Sequence, residues 1–178
     1  DADFAWNIRG AAFVDDQQHG VLAETSTLAA RFSQVLTVPA GAKVLAFNVL
    51  ETAFDAAGNG PQDAFEVALL NPITGQSLAP TIGLDGTDAL FSLQADGSWY
   101  QSSAVRISTP GGAVLSAPLT DHQYAVSILL TGLDTSQGAE LYFDLVGFGA
   151  AGSRVVIDAV RFSDGTGANS APVANPDT

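Results

Sequence analysis

Carboxylates set among apolar neighbours are the residues of this chain best placed to do chemistry. A polar loop, Phe54-Asp55-Ala56-Ala57-Gly58-Asn59-Gly60-Pro61-Gln62, lies between two strand-like stretches. Before it, Leu45, Phe47, Val49 and Glu51 have one parity; after it, Asp63, Phe65, Val67 and Leu69 do. Strand side chains alternate between faces, so each apolar row carries an acid at its loop end. With both rows facing a core, Glu51 and Asp63 are expected at its rim, with Asp55 and Asn59 between them. Converging oxygens suit Ca²⁺, which takes about six to eight oxygen ligands at about 2.3–2.6 Å. Bare carboxylates at such spacing repel, and one pKa rises. A solvated loop with ordinary surface acids is the alternative, and the chain has neither an EF-hand loop nor a tandem nonapeptide calcium repeat.

A second acid stands in Arg154-Val155-Val156-Ile157-Asp158-Ala159-Val160-Arg161-Phe162, a β-branched run bounded by Gly152-Ser153 and Ser163-Asp164-Gly165. Its composition predicts a strand. Simple alternation puts Val156, Asp158, Val160 and Phe162 on one face, so Asp158 interrupts an apolar row. A buried carboxylate costs several kcal/mol unless compensated. A metal, an arginine or backbone N–H groups are therefore expected against Asp158, either as a metal site or as a satisfied structural aspartate.

Other chemistries are less well marked. Paired carboxylates also serve glycoside hydrolysis, but no spacing singles out a pair. His19 and His122 are the two histidines, both in polar turn-like stretches, and there is no Gly-x-Ser-x-Gly elbow. Trp99-Tyr100 follows the Asp96-Gly97 turn in a polar setting. One of the two rings should face outward, and an exposed ring beside polar groups is suited to stacking on a sugar. Packing of Trp99 in the interior and of Tyr100 at a strand end is the alternative. Trp6 and Tyr142 read as packing residues.

These residues need a framework of strands. Short apolar stretches are predicted at 4–10, 12–14, 21–24, 28–38, 44–50, 63–70, 89–93, 99–107, 113–115, 123–131, 140–148 and 154–162, with a possible helical turn in 85–92. Turns rich in Gly, Pro and Asp separate them, Asp96-Gly97 being a strong hairpin cue. That pattern predicts a single antiparallel β-sandwich over residues 1–164. Residues 165–178 are small, polar and proline-containing and read as a linker to a following domain.

The bulk composition narrows the function. With 178 residues, 47 % of them hydrophobic, the chain can bury a real core, so extensive disorder is excluded. Without cysteine there is no disulfide, thiolate zinc site or cysteine nucleophile. Nineteen acids against six basic residues give a formal charge of −13, which repels nucleic acid and anionic membranes. Divalent cations could neutralise it. No apolar run reaches the ~20 residues of a membrane span, and no cleavable signal is visible, so the chain is expected to be a piece of a larger protein.

Val21-Leu22-Ala23-Glu24, Leu36-Thr37-Val38-Pro39-Ala40-Gly41-Ala42, Phe54-Asp55, Asp63-Ala64-Phe65-Glu66-Val67-Ala68-Leu69-Leu70 and Val155-Val156-Ile157-Asp158-Ala159-Val160 follow in this order. Through them the chain resembles the carbohydrate-binding-module-like jelly-roll domains of large bacterial calcium-dependent surface and adhesin proteins. The tail Asn169–Thr178 looks like the entry to a cadherin-like or VCBS-type repeat. The resemblance implies a galactose-binding-like jelly roll with a structural Ca²⁺ between an N-terminal segment and an Asp of the last strand. Glu24 and Asp158 match those two positions, and Asp55 and Asp63 match acids of the long loop. Such domains often carry Asp or Asn in the turn before the last strand, where Ala150-Ala151-Gly152 departs from the pattern.

The expected function is thus a non-catalytic, calcium-stabilised module of a secreted or surface-attached bacterial protein. Its expected metal ligands are Glu24, Glu51, Asp55, Asp63 and Asp158, and Trp99 and Tyr100 its contacts to carbohydrate. A spacer or self-association module is the first rival, a polysaccharide-degrading enzyme the second.

Overall fold

The computed structural model describes residues 6–25, 29–55, 62–84, 86–115, 123–148, 152–166, 169–170 and 173–174. They form an antiparallel β-sandwich with no helix among them. The strands are β1 (Asn7–Arg9), β2 (Ala11–Val14), β3 (Gly20–Ala23), β4 (Ala29–Thr37), β5 (Val44–Ala53), β6 (Ala64–Leu70) and β7 (Phe91–Gln94). They continue with β8 (Trp99–Gln101), β9 (Val105–Ser108), β10 (Tyr124–Leu129), β11 (Ala139–Val146) and β12 (Arg154–Ser163). One sheet has the order β1-β4-β11-β6-β7-β8, the other β2-β3-β12-β5-β10-β9, and neither closes into a barrel. From β3 to β6 the chain changes sheet at every step, and it does so again from β10 to β12. Strand ends from both sheets therefore meet at the ends of the sandwich.

Alternating apolar residues fill the space between the sheets. β11 buries Ala139, Leu141, Phe143 and Leu145, and β10 buries Tyr124, Val126 and Ile128. Phe143 is central: Phe47 of the opposite sheet meets it edge-on at 4.9 Å, and Phe65 stacks on it at 6.3 Å. Such aromatic pairs add about 0.5–1.5 kcal/mol each beyond the area they bury.

Several strands depart from the alternation read in the sequence. The predicted strand 99–107 is two strands in opposite sheets, β8 and β9. Between them the chain turns at Ser102, whose carbonyl accepts the Val105 N–H. The predicted 113–115 strand is reduced to a Ser108–Val114 bridge, and residues 86–92 contain no helical turn. The Asp96-Gly97 hairpin joins β7 and β8 as expected, with Gly97 at φ +81° and the Gln94 N–H donating to the Ser98 carbonyl. In the stretch read as a linker, β13 (Asn169–Ser170) pairs with β12 and β14 (Val173–Ala174) with β4. They pair where the shorter β3 and β1 leave those strands uncovered, so backbone groups that would otherwise face water are hydrogen-bonded.

Two irregularities in the β5–β12 pair change which residues face inward. Val156 pairs with Glu51 but Ile157 with Val49, so Leu50 is skipped; further along, Asp158 pairs with Asn48 and Arg161 with Ala46. Ala159 sits in the second bulge with φ +56°. The inward row of β12 is consequently Val155, Ile157, Val160 and Phe162, and that of β5 is Leu45, Phe47 and Val49, after which Thr52 is buried.

Candidate metal centre

Glu24, Asp55 and Asp63 come together at one end of the sandwich. Each offers a carboxylate oxygen, and these oxygens lie within 4.8 Å of one another. Glu24 directly follows β3, Asp55 lies just beyond β5, and Asp63 directly precedes β6. Two belong to one sheet and the third to the other, so the cluster bridges the layers. Glu24 and Asp63 are buried, Asp63 to 3 % exposure, and Asp55 is half-buried.

Ser153, which directly precedes β12, organises the three. Its hydroxyl donates to Asp63 Oδ2 at 2.5 Å and accepts the Asp55 N–H at 3.0 Å. Its backbone clasps Glu24: the Glu24 N–H donates to the Ser153 carbonyl at 2.8 Å, and the Ser153 N–H donates to Glu24 Oε2 at 3.3 Å. The Phe148 N–H completes the frame with a 2.7 Å bond to Asp63 Oδ1. Gly147 borders the Glu24 side chain so closely that a Cβ there would fall 2.4 Å from Oε1 and 2.6 Å from Cδ. Only glycine leaves Glu24 in this position.

The arrangement concentrates negative charge. Burial raises the Asp55 pKa above its ordinary value, and the Asp63 charge, a hydrogen bond to the Asp63 carboxyl and the Glu24 charge raise it further. Crowded carboxylates of this kind repel one another, so the bare cluster favours a proton on Asp55 more than an isolated aspartate does. A cation held among the three acids would offset this repulsion. Oxygens bound to one Ca²⁺ at about 2.4 Å lie at most about 4.8 Å apart, and the three oxygens here fall within that limit. Each carboxylate oxygen has two lone pairs, so those of Asp63 that accept Ser153 and Phe148 can still ligate. The residues present therefore fit a hard, oxygen-seeking cation.

Glu51 and Asp158 stand apart from this group. The skipped Leu50 reverses the parity of β5, so Glu51 faces outward, exposed, with its Oε2 3.7 Å from Arg154 Nε. The apolar row expected to bury Asp158 does not form, because the bulge at Ala159 puts Val160 and Phe162 on the face opposite to it. Asp158 is half-buried on the outer face of its sheet, across from Asn48. Asn59 and the turn 149–151 lie outside the described residues, as does His122. Other aspartates have local duties. Asp96, Asp134 and Asp164 each accept the N–H and hydroxyl of the Ser or Thr two residues on, which lowers their pKa values. Asp15 likewise caps a turn and pairs with His19 at 3.3 Å.

Trp99 and Tyr100 take opposite faces of the edge strand β8. Trp99 is half-buried against the core, and Tyr100 is 44 % exposed on the outer face, across from Ser92. That face carries a polar row in which Arg31 grips Asp144 with two bonds of 2.5 and 3.0 Å. Beside it burial, and then the Asp144 charge, raise the Glu66 pKa. Sequence reasoning missed Ser153 and Gly147. Their signal was confined to Gly152-Ser153 as a strand boundary and Gly147 as a turn residue.

No protein-family model, curated protein or solved structure matches the chain.

Proposed function

We propose that this domain is a non-catalytic, calcium-stabilised module of a bacterial secreted or surface protein, with carbohydrate as its ligand. The observation that carries the metal half of this reading is the convergence of Glu24, Asp55 and Asp63 from both sheets. Calcium is favoured over a transition metal because the donors are hard carboxylates, with no cysteine in the chain and no histidine in the cluster. Its role there is mechanical: it neutralises the acids and ties the ends of β3 and β5 to the start of β6. A hydrolytic role is disfavoured because Asp63 is sealed beneath Ser153 and Phe148, where a glycosidic oxygen has no access. The aromatic rings of β8 support the carbohydrate half.

Two measurements test it. Chelation with EDTA should lower the melting temperature by several degrees and added Ca²⁺ should restore it; an unchanged melting temperature rejects the metal. A glycan array should give hits with the calcium-loaded protein. An empty array with intact folding leaves a spacer or self-association module.

A further inference from the structure

Two of the six basic residues stand directly opposite each other at one edge of the sandwich. Arg9 of β1 pairs in register with Arg31 of β4, and Arg31 with Asp144 of β11. Like charges facing across a strand pair cost stability. Arg31 is compensated: its Nε–H and an Nη2–H donate to Asp144, and its guanidinium carbon lies 5.1 Å from the centre of the Tyr142 ring. Arg9 is not. Among the described residues its guanidinium has no ion pair or hydrogen bond, whereas Arg106, Arg154 and Arg161 each hold a carbonyl or an acid. The juxtaposition is accounted for if an anion sits between the two arginines.

Both guanidiniums border one depression of about 400 Å³ on the outer face of this sheet, lined also by Asn7, Ser33, Glu140 and Tyr142. Ser33 is 5 % exposed and lies between Asn7 and Tyr142 in the register, so a small side chain forms the floor. A guanidinium has five N–H donors; with two of them on Asp144, Arg31 keeps three, and Arg9 keeps all of its own. Side by side, these donors match the two oxygens of a carboxylate. Further along the strands the lining changes character. Glu140 and the Tyr142 hydroxyl, hydrogen-bonded to each other, and the Asn7 amide offer acceptors and donors suited to hydroxyl groups. The volume is within the range of about 300–1,000 Å³ of small-molecule sites. The overall negative charge does not cancel the two arginines, because acids more than about 8 Å away are largely screened at physiological salt.

We propose that this depression binds a hydroxylated carboxylate, the chemistry of a sugar acid, with Arg9 and Arg31 holding the carboxylate and Asn7 and Glu140 the hydroxyls. This deepens the carbohydrate reading above and rests on it, narrowing the ligand to acidic sugars. It puts that ligand on the face that carries Tyr100, at the opposite edge of the sheet, and leaves the metal its mechanical role.

The test uses the full chain in calcium, titrated with sodium glucuronate and galacturonate, their neutral methyl hexosides, a short oligouronide and inorganic phosphate. Calorimetry and amide shifts in NMR spectra read the binding. At least one uronate should bind and shift the Asn7, Ser33 and Tyr142 amides, and its neutral counterpart should bind at least tenfold more weakly. Arg9→Gln should weaken the uronate at least fivefold with the melting temperature unchanged or higher, since it removes one of two like charges. Both sources of the sugar acid support the site: tighter binding of the oligouronide marks a polysaccharide, and equal binding a free sugar acid. Phosphate binding as tight as uronate, binding that survives Arg9→Gln, or shifts confined to Ser153 and Phe148 at the metal centre overturn the site but leave the carbohydrate reading standing. No bound sugar of either kind together with an empty glycan array overturns both.

Discussion

Replacing Asp63 by asparagine should have unequal consequences in calcium and in EDTA. In calcium, at a hundredfold excess over the dissociation constant, a bound ion contributes about 2.7 kcal/mol. For a chain of this length each kcal/mol moves the melting temperature by about 2–4 °C, so the ion is worth about 5–11 °C. Asp63→Asn removes one of three carboxylates and should abolish most of that gain. In EDTA the balance differs. The asparagine carbonyl still accepts the Phe148 N–H, and the Ser153 hydroxyl can rotate to accept from the new amide. Hydrogen bonds to a charged acceptor fall from about 1.5–3 kcal/mol to about 1 kcal/mol, while repulsion from Asp55 and Glu24 is relieved. The net change in EDTA should stay within about 1 kcal/mol. Calorimetric melts of both proteins in both buffers measure the four values, with Glu51→Gln as a control that keeps the full calcium response. An equal penalty with and without calcium would refute the reasoning, because Asp63 would then be a purely structural acceptor.

Two further outcomes follow from the same geometry. The folded state holds the Asp55 proton more tightly than the unfolded chain, because burial and the Asp63 charge raise this pKa above 3.8. Its contribution to stability is therefore full below 3.8 and lost as pH rises through the raised folded value. Glu66 acts in the same sense, whereas Asp15, Asp96, Asp134 and Asp164, with lowered values, matter only at more acidic pH. In EDTA the melting temperature should fall as pH rises above 3.8 through the raised Asp55 value, and Asp55→Asn should flatten the profile; a wild-type curve that rises there counts against the raised Asp55 pKa. Gly147→Ala should displace the flexible Glu24 side chain instead of unfolding the domain. It should cost about 1–3 kcal/mol, as overpacking does, and weaken calcium at least tenfold by calorimetric titration; unchanged affinity would remove Glu24 from the ligand set.

Regular alternation carried the sequence reading wherever a strand stayed in register. Phe65, Val67 and Leu69 are buried in β6, and the same period correctly placed Asp63 at the rim of the core. Turn chemistry was equally local, and Asp96-Gly97 marked its hairpin. The Glu24, Asp55 and Asp63 positions were reached through the resemblance and the loop, but not their common frame. Ser153 and Gly147 act only after strands from two sheets arrive, and nothing near them in the chain records that meeting.

The sequence by itself determined an all-strand sandwich, its apolar rows and an acidic surplus, because side-chain period, turn residues and charge are local properties. Only the tertiary structure decided which acids meet. The β5–β12 pairing skips Leu50 and bulges at Ala159, neither of them a glycine, so no residue type announces the change of parity. A one-residue slip moves every later side chain to the opposite face. That slip carries Glu51 outward and leaves Asp158 facing away from the core, while Asp63, in an unbroken strand, stays where its neighbours put it.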